Sequence, residues 1–185
     1  MSFRAFQFFC VGAALGVCTA NAEIVTGENY TLRFVDFDGR TISTADDVIS
    51  LVVLTSRADT AKAQLVAARV PDFCLGNPDY RMVTVVNVVR ARIASGLVRL
   101  FIRRRLNAEA AQLQRRYDAA RIRKDARRDI FIVPDFDGKA TASLGVESAA
   151  PAFRVFVFGR DGKLLREWRD VPDATELAAA LRSAS

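Results

Sequence analysis

Short apolar runs along this chain predict β-strands, and longer stretches with apolar residues at helical spacing predict helices. Residues 49–54 and 81–88 are rich in β-branched side chains and too short for helices, which is typical of strands buried on both faces of a sheet. Between them, residues 59–70 have helical spacing and end before Pro71. A strand, a helix and a strand at this spacing form a βαβ unit, whose two strands pair in parallel.

The remaining pattern adds further strands and a final helix. These strands are predicted at residues 30–37, 130–133, 152–158 and 164–168. The last two form a hairpin across Asp161-Gly162, and the last helix begins at Asp173, with Glu176 completing a capping box. Parallel and antiparallel strands together predict an α/β fold with a mixed central sheet flanked by helices.

Residues 1–22 have the pattern of a signal peptide. Arg4 supplies a basic start, residues 6–17 are mostly apolar, and Ala20-Asn-Ala22 offers a small-x-small cleavage site. The alternative, a buried N-terminal helix, is less favoured by this pattern. The sequence therefore predicts an exported protein, periplasmic or secreted, with one domain at residues 23–185.

The three cysteines of the chain fit this prediction. Lipid attachment at Cys18 is the less favoured alternative, because Val17 stands where such sites prefer a small residue. Cleavage after Ala22 would remove Cys10 and Cys18 and leave Cys74 alone. An exported domain with one cysteine forms no internal disulfide, so its stability must come from packing.

The absence of histidine from all 185 residues excludes several kinds of site. Without imidazole, serine-protease-like, papain-like and zinc-hydrolase sites are all disfavoured. The motif Asp-Phe-Asp-Gly occurs at 36–39 and 135–138, but it lacks the other oxygen ligands of a calcium loop and predicts turns. We expect neither a metal site nor a cofactor.

Residues 89–128 form a basic helical segment. Between residues 90 and 129 lie thirteen Lys or Arg residues and four acids, against a net charge of +6 for the chain. A break near Asn107 is predicted to divide the segment into two helices, each docked by an apolar face. The apolar face of the first helix is formed by Ile93, Leu97, Leu100 and Phe101.

Three interpretations of these charges remain open. In the first the arginines form a solvated face, in the second they contact an anionic membrane surface, and in the third they bind an acidic partner. Nucleic acid is an unlikely partner, because no aromatic residues interleave with the arginines to stack bases. The candidate contact residues are Arg92, Arg99, Arg103, Arg104 and Arg105.

A known family shares the order of motifs in the C-terminal half. Asp-Phe-Asp-Gly-Lys at 135–139, Leu-Gly-Val at 144–146, Pro151 and the following hairpin resemble the redoxin and peroxiredoxin-type branch of the thioredoxin-like superfamily. The resemblance covers residues 31–181. It implies a thioredoxin-like fold with residues 89–128 as a basic helical insertion, and it places Pro151 where the family has a cis-proline opposite its redox cysteines.

The resemblance also places the family's active site at the start of the helix that follows the first central strand. Ala58 and Ala61 occupy the two cysteine positions there, and no cysteine lies anywhere from residue 19 to 73. Oxidoreductase or peroxidase activity by the family's mechanism is therefore disfavoured. Ser56 or Asp59 is expected to cap the helix instead.

A non-catalytic binding or accessory role is the function that these observations favour, with an unidentified protein or anionic partner. One alternative is a single-cysteine redox protein that uses Cys74. Burial of this thiol is favoured over reactivity, because Phe73 and Leu75 flank it and no basic residue adjoins it. The other alternative is a peripheral membrane protein that binds through the basic insertion.

Overall fold

The computed structural model describes residues 23–88, 95–147 and 153–184. Its strands are β1 (Arg33–Val35), β2 (Thr41–Ser43), β3 (Ile49–Ser56), β4 (Tyr80–Asn87), β5 (Ile130–Asp135), β6 (Arg154–Phe158) and β7 (Leu164–Trp168). Its α-helices are α1 (Thr60–Arg69), α2 (Ser95–Ala119), α3 (Lys139–Ser143) and α4 (Ala174–Ser183). Two 3₁₀ turns cover Asp72–Cys74 and Ala126–Asp129.

A five-stranded mixed sheet forms the centre of the domain, in the order β5-β4-β3-β6-β7. Strands β3, β4 and β5 are parallel, and β6 pairs antiparallel with both β3 and β7. The predicted α/β class, the βαβ unit and the C-terminal hairpin are confirmed. The N-terminal strand is shorter than predicted, because β1 pairs only with β2 in a separate two-stranded sheet.

Each face of the sheet buries its own hydrophobic cluster. Helices α1 and α4 cover one face, where Val66 and Leu177 pack on side chains of β3 and β6. The β1–β2 hairpin and the segment that follows α3 cover the other face through Phe34, Ile42 and Leu144. This two-sided burial explains why residues 51–54 of β3 are all apolar and do not alternate with polar residues.

Helix α2 differs from the prediction, because it is one continuous helix of 25 residues with no break near Asn107. Asn107 is exposed on the helix surface and caps nothing. The residues after it are mostly strong helix formers, and an ion pair one turn apart, Arg105–Glu109, spans the predicted break at 2.7 Å.

The face by which α2 docks also differs from the prediction. Ile102 and Leu106 are buried against Val86 and Ile132 of the sheet. The predicted docking residues Leu97, Leu100 and Phe101 are exposed, and Ile93 lies outside the described residues. The helix is therefore rotated relative to the prediction, with its predicted apolar face turned towards solvent.

The two Asp-Phe-Asp-Gly motifs form turns in which the first aspartate is buried. Asp36 accepts hydrogen bonds from the backbone N–H groups of Asp38 and Arg40, at 3.0 and 2.7 Å. Asp135 accepts them from the backbone N–H groups of Ala140 and Thr141, at 3.3 and 2.8 Å. The motif thus binds backbone donors of the residues that follow it.

The described residues contain no group of three or more His, Cys, Asp or Glu side chains placed to bind a metal ion. None of their helices is both long enough and apolar enough to cross a lipid bilayer.

Candidate functional site

The loop between β3 and α1, where the sequence places the candidate active-site positions, carries no reactive group. Ser56 ends β3, and Asp59 occupies the N-cap position of α1. The Ser56 hydroxyl donates to the Asp59 carboxylate at 2.7 Å, and neither side chain caps the helix, so the expected capping is wrong. Ala58 and Ala61 are exposed and present only methyl groups to solvent.

Arg105 reaches this loop from α2 and is buried, with 4% of its side chain exposed. Its Nε donates to Glu109 Oε1 at 2.7 Å and its Nη1 to Thr60 Oγ1, at the start of α1, at 3.4 Å. Its Nη2 has no hydrogen-bond partner among the described residues. The prediction that Arg105 contacts an anionic surface is wrong, because this side chain lies on the inner face of α2.

Arg116, near the C-terminal end of α2, makes a second link to α1, at the C-terminal end of that helix. Its Nη1 donates to the carbonyl oxygen of Ala67 at 3.0 Å, and its Nη2 donates to that of Val70 at 2.7 Å. Nη2 also lies 3.0 Å from Asp72 Oδ1. Helices α1 and α2 are therefore connected at two points by arginines, which act as polar bridges across the space between the helices.

A cavity of about 120 Å³ lies between α1, α2 and the sheet. Small side chains on α1, Ala63 and Ala67, leave space above the sheet that larger residues would fill. The walls are mainly apolar and include Leu51, Met82 and Leu113. Polar groups also line it, from Gln64, Thr84, Glu109 and Gln112.

Cys74 lines this cavity and has only 9% of its surface exposed. Burial raises the pKa of its thiol to about 12, and the positive charge of Arg116 opposes this shift only in part. The thiol is therefore protonated at neutral pH, and a protonated thiol is a poor nucleophile. The sequence placed no basic residue beside Cys74, because Arg116 comes from a helix more than forty positions away.

Tyr117 lines the same cavity as Cys74. Its hydroxyl donates to Asp129 Oδ2 at 2.6 Å and accepts from the backbone N–H of Gly76 at 3.1 Å. Burial and the bond to Asp129 raise the pKa of Tyr117. Gly76 has a φ of +65°, and a Cβ there would lie 2.9 Å from Ile122, so this close approach requires glycine.

The sequence did not indicate this cavity. Its lining residues come from α1, α2, α4, three strands and the segment around Cys74, which are far apart in the chain. The only local signal was the spacing of Ala63 and Ala67 by one helical turn, a pattern that equally fits close packing. The cavity is therefore a result of the tertiary structure alone.

The other predicted site residues are distributed as follows. Arg99, Arg103 and Arg104 are exposed on α2. Pro151 and Arg92 lie outside the described residues, so the proline geometry and that arginine contact stay predictions. The structure does not bring Cys74 to the start of α1: the thiol lies by the 3₁₀ turn that follows the other end of this helix.

Comparison with known proteins finds similarity in structure and none in sequence. No protein-family profile and no curated protein sequence matches the chain. A peroxiredoxin-like protein from Aquifex aeolicus has a TM-score of 0.54 at 15% identity, covering 90% of this chain and 91% of the other. A putative thioredoxin from Neisseria meningitidis has a TM-score of 0.53 at 14% identity, with 86% and 91% covered.

A third solved structure is the pneumococcal exposed lipoprotein thioredoxin from Streptococcus pneumoniae. Its TM-score is 0.50 at 14% identity, and the match covers 83% of this chain and 99% of that one. At these identities the likenesses concern the fold. The chain has a thioredoxin-like fold, and the prediction made from its C-terminal motifs is confirmed.

Proposed function

We propose that this chain uses its thioredoxin-like fold as an exported, non-catalytic binding module, and that its ligand occupies the cavity between α1 and α2. The observation that carries the proposal is the start of α1, where Ala58 and Ala61 offer only methyl groups at the two positions to which the resemblance assigns the redox cysteines. A fold that positions a thiolate at a helix N-terminus has here no thiol to position.

Cys74 does not replace the missing cysteines. Its thiol is buried, its pKa is raised to about 12, and it lies at the opposite end of α1 from the loop after β3. A redox cysteine needs the reverse of these properties, namely access to its substrate and a lowered pKa. The burial, the raised pKa and the position of Cys74 argue against the single-cysteine alternative.

The cavity supports a binding role because its volume and chemistry suit a small molecule. A space of about 120 Å³ holds a molecule about the size of one aromatic ring. Apolar walls favour an apolar body, and the side chains of Gln64, Glu109 and Gln112 can hydrogen-bond one polar substituent. We therefore expect a small apolar or aromatic compound that carries a donor group.

Export is supported by two observations of different kinds. Residues 1–22 have the signal-peptide pattern described above. One of the structurally similar proteins is described as an exposed lipoprotein, which is compatible with a thioredoxin-like fold working outside the cytoplasm.

A disulfide-reduction assay tests whether the protein lacks catalysis. With dithiothreitol as reductant and insulin as substrate, the protein is expected to give the same rate as dithiothreitol alone. The matched control is the double variant Ala58→Cys/Ala61→Cys, which places two thiols at the start of α1 and is expected to exceed that rate. Catalysis by the unaltered protein that disappears in Cys74→Ala would contradict the proposal.

Ligand binding is tested with benzene as the probe, followed by the thermal midpoint of unfolding. Binding to the folded state alone raises this midpoint in a saturable way. The variant Ala67→Leu extends a larger side chain into the cavity and is expected to abolish the shift. Ala68→Leu makes the same change at an exposed neighbouring position and should keep it. Equal shifts in both variants would place the benzene elsewhere.

A further inference from the structure

Three exposed apolar side chains on α2 form a single surface, which we call the outer patch: Leu97, Leu100 and Phe101. Their exposed fractions are 60%, 46% and 37%. They are three of the seven large apolar side chains that are exposed in the described residues, and they fall within five consecutive positions. Their spacing places them on one face of the helix. Scattered exposed leucines need no explanation, but a contiguous apolar surface indicates a contact.

Positive charge surrounds this patch. Arg99, Arg103 and Arg104 are exposed on the same helix, and the guanidinium of Arg57 lies 5.7 Å from the centre of the Phe101 ring. No acidic residue occurs between positions 95 and 108. The first acid of α2, Glu109, is paired with the buried Arg105 on the inner face of the helix. The partner must therefore offer negative charge around an apolar interior.

The attachment of α2 to the domain keeps the outer patch turned outward. Ile102 and Leu106 are buried in the core, and Arg116 bonds the far half of the helix to α1. The helix cannot rotate to bury Leu97 and Leu100 without removing these side chains from the sheet. The surface is therefore held in place in the free protein, and binding would require no new helix to form.

We propose that the outer patch docks the domain on an anionic lipid surface. Leu97, Leu100 and Phe101 enter the boundary between headgroups and acyl chains, while the arginines contact lipid phosphates. A helix that is too polar to cross a bilayer, with an apolar strip and flanking cations, is suited to lie in this interface. An acidic protein would need a groove shaped to this one helix face, whereas a lipid interface adapts to any apolar strip flanked by cations.

The outer patch does not line the cavity. Failure of the lipid-binding proposal would therefore leave the proposed ligand binding in the cavity unaffected, and the reverse also holds. The test is co-sedimentation of residues 23–185, which contain every described helix, strand and core cluster, with vesicles. We expect binding to vesicles of equal phosphatidylglycerol and phosphatidylcholine, little binding to pure phosphatidylcholine, and weaker binding as salt increases. Replacing two arginines, Arg103→Gln/Arg104→Gln, should weaken binding by about thirtyfold.

The apolar contribution is tested by Leu97→Gln/Leu100→Gln, which should weaken binding by at least about tenfold. Matched controls remove the same kinds of side chain elsewhere. Leu65→Gln changes an exposed leucine of α1, and Arg115→Gln removes an exposed charge from the far half of α2. Both controls should bind within about twofold of the unaltered protein.

Three results would overturn the proposal. No binding to either kind of vesicle would show that lipid is not the partner and would leave an acidic protein as the occupant. Equal binding to anionic and neutral vesicles would show that the arginines around the outer patch do not recognise lipid phosphates of anionic headgroups. If Arg115→Gln and Arg103→Gln/Arg104→Gln lost the same vesicle affinity per removed charge, the net charge of the protein would account for the binding. No defined contact surface would then be needed. An unchanged circular dichroism spectrum shows that a variant is still folded, so that its weaker binding cannot be attributed to loss of the fold.

Discussion

At pH 8, Cys74 in the folded protein is expected to react with iodoacetamide about a thousandfold more slowly than the same thiol in the unfolded chain. The reagent attacks the thiolate, and burial raises the pKa of this thiol from 9.0 to about 12, a difference of three pH units. At pH 8 about one folded molecule in ten thousand carries the thiolate. Only 9% of the residue is exposed, which slows the reaction further.

The measurement is the alkylated fraction by intact mass over time, at several pH values, with and without guanidinium chloride. The native rate should rise about tenfold for each pH unit up to pH 11, whereas the unfolded rate should level off near pH 9. In Cys74→Ala no adduct should form on residues 23–185, which contain no other cysteine. Rapid native alkylation, or oxidation by peroxide at a comparable rate in both states, would favour the single-cysteine redox alternative.

The same pKa shift determines a dependence of stability on pH. The folded thiol holds its proton more tightly than the unfolded thiol does, because its pKa is raised. This contribution to stability is complete below pH 9 and is lost as the pH rises from 9 towards 12. Cys74→Ala should therefore show a shallower loss of stability over that range, although the buried Tyr117, whose pKa is also raised, keeps part of the slope.

The central sheet could be predicted from the sequence because its signals are local. The strands β3 and β4 lie inside the sheet and each has a run of consecutive buried residues, so most of their residues are apolar. The C-terminal hairpin was marked by Asp161-Gly162, and α4 by its cap at Asp173, whose carboxylate accepts from the N–H of Thr175 at 2.8 Å. Each of these signals lies within a few residues of the element it determines.

Helix α2 could not be placed in the same way, because two of its faces are apolar. Leu97, Leu100 and Phe101 form one face, and Ile102 and Leu106 form the other. Periodicity detects both faces but does not indicate which of them meets the sheet. Which face docks depends on Val86 and Ile132, which are distant in sequence, and on Arg105. The charge of Arg105 wrongly suggested that its side chain is exposed.

The candidate site, too, could be predicted from the sequence only in part. The sequence itself shows that Ala58 and Ala61 bring no thiol to the start of α1. It gave no indication of the cavity, because the small residues of α1 create space only when α2 lies opposite them. Arg105 and Arg116 fix that distance through bonds to Thr60, Ala67 and Val70.

Loss of the buried carboxylate in Asp135→Ala is expected to lower the free energy of unfolding by about 3 kcal/mol. Asp135 is 2% exposed and accepts hydrogen bonds from the N–H groups of Ala140 and Thr141 and from the Thr141 hydroxyl. Thr141 is fully buried, so its donors would have no water to replace the lost acceptor. The resulting fall in the thermal midpoint should be roughly 6–12 °C.

The same motif supplies the control for this prediction, since Asp137→Ala removes an aspartate only two positions away. Asp137 is exposed and pairs with the exposed Lys139, so its loss should change the midpoint far less. Asp135→Asn keeps the shape and one acceptor oxygen, and should fall between the two. If Asp135→Ala and Asp137→Ala proved equally mild in chemical and thermal unfolding, the turn would not depend on its buried carboxylate. The conformation of the residues after β5 would then have to be attributed to the packing of Leu144 and Val146 in the core.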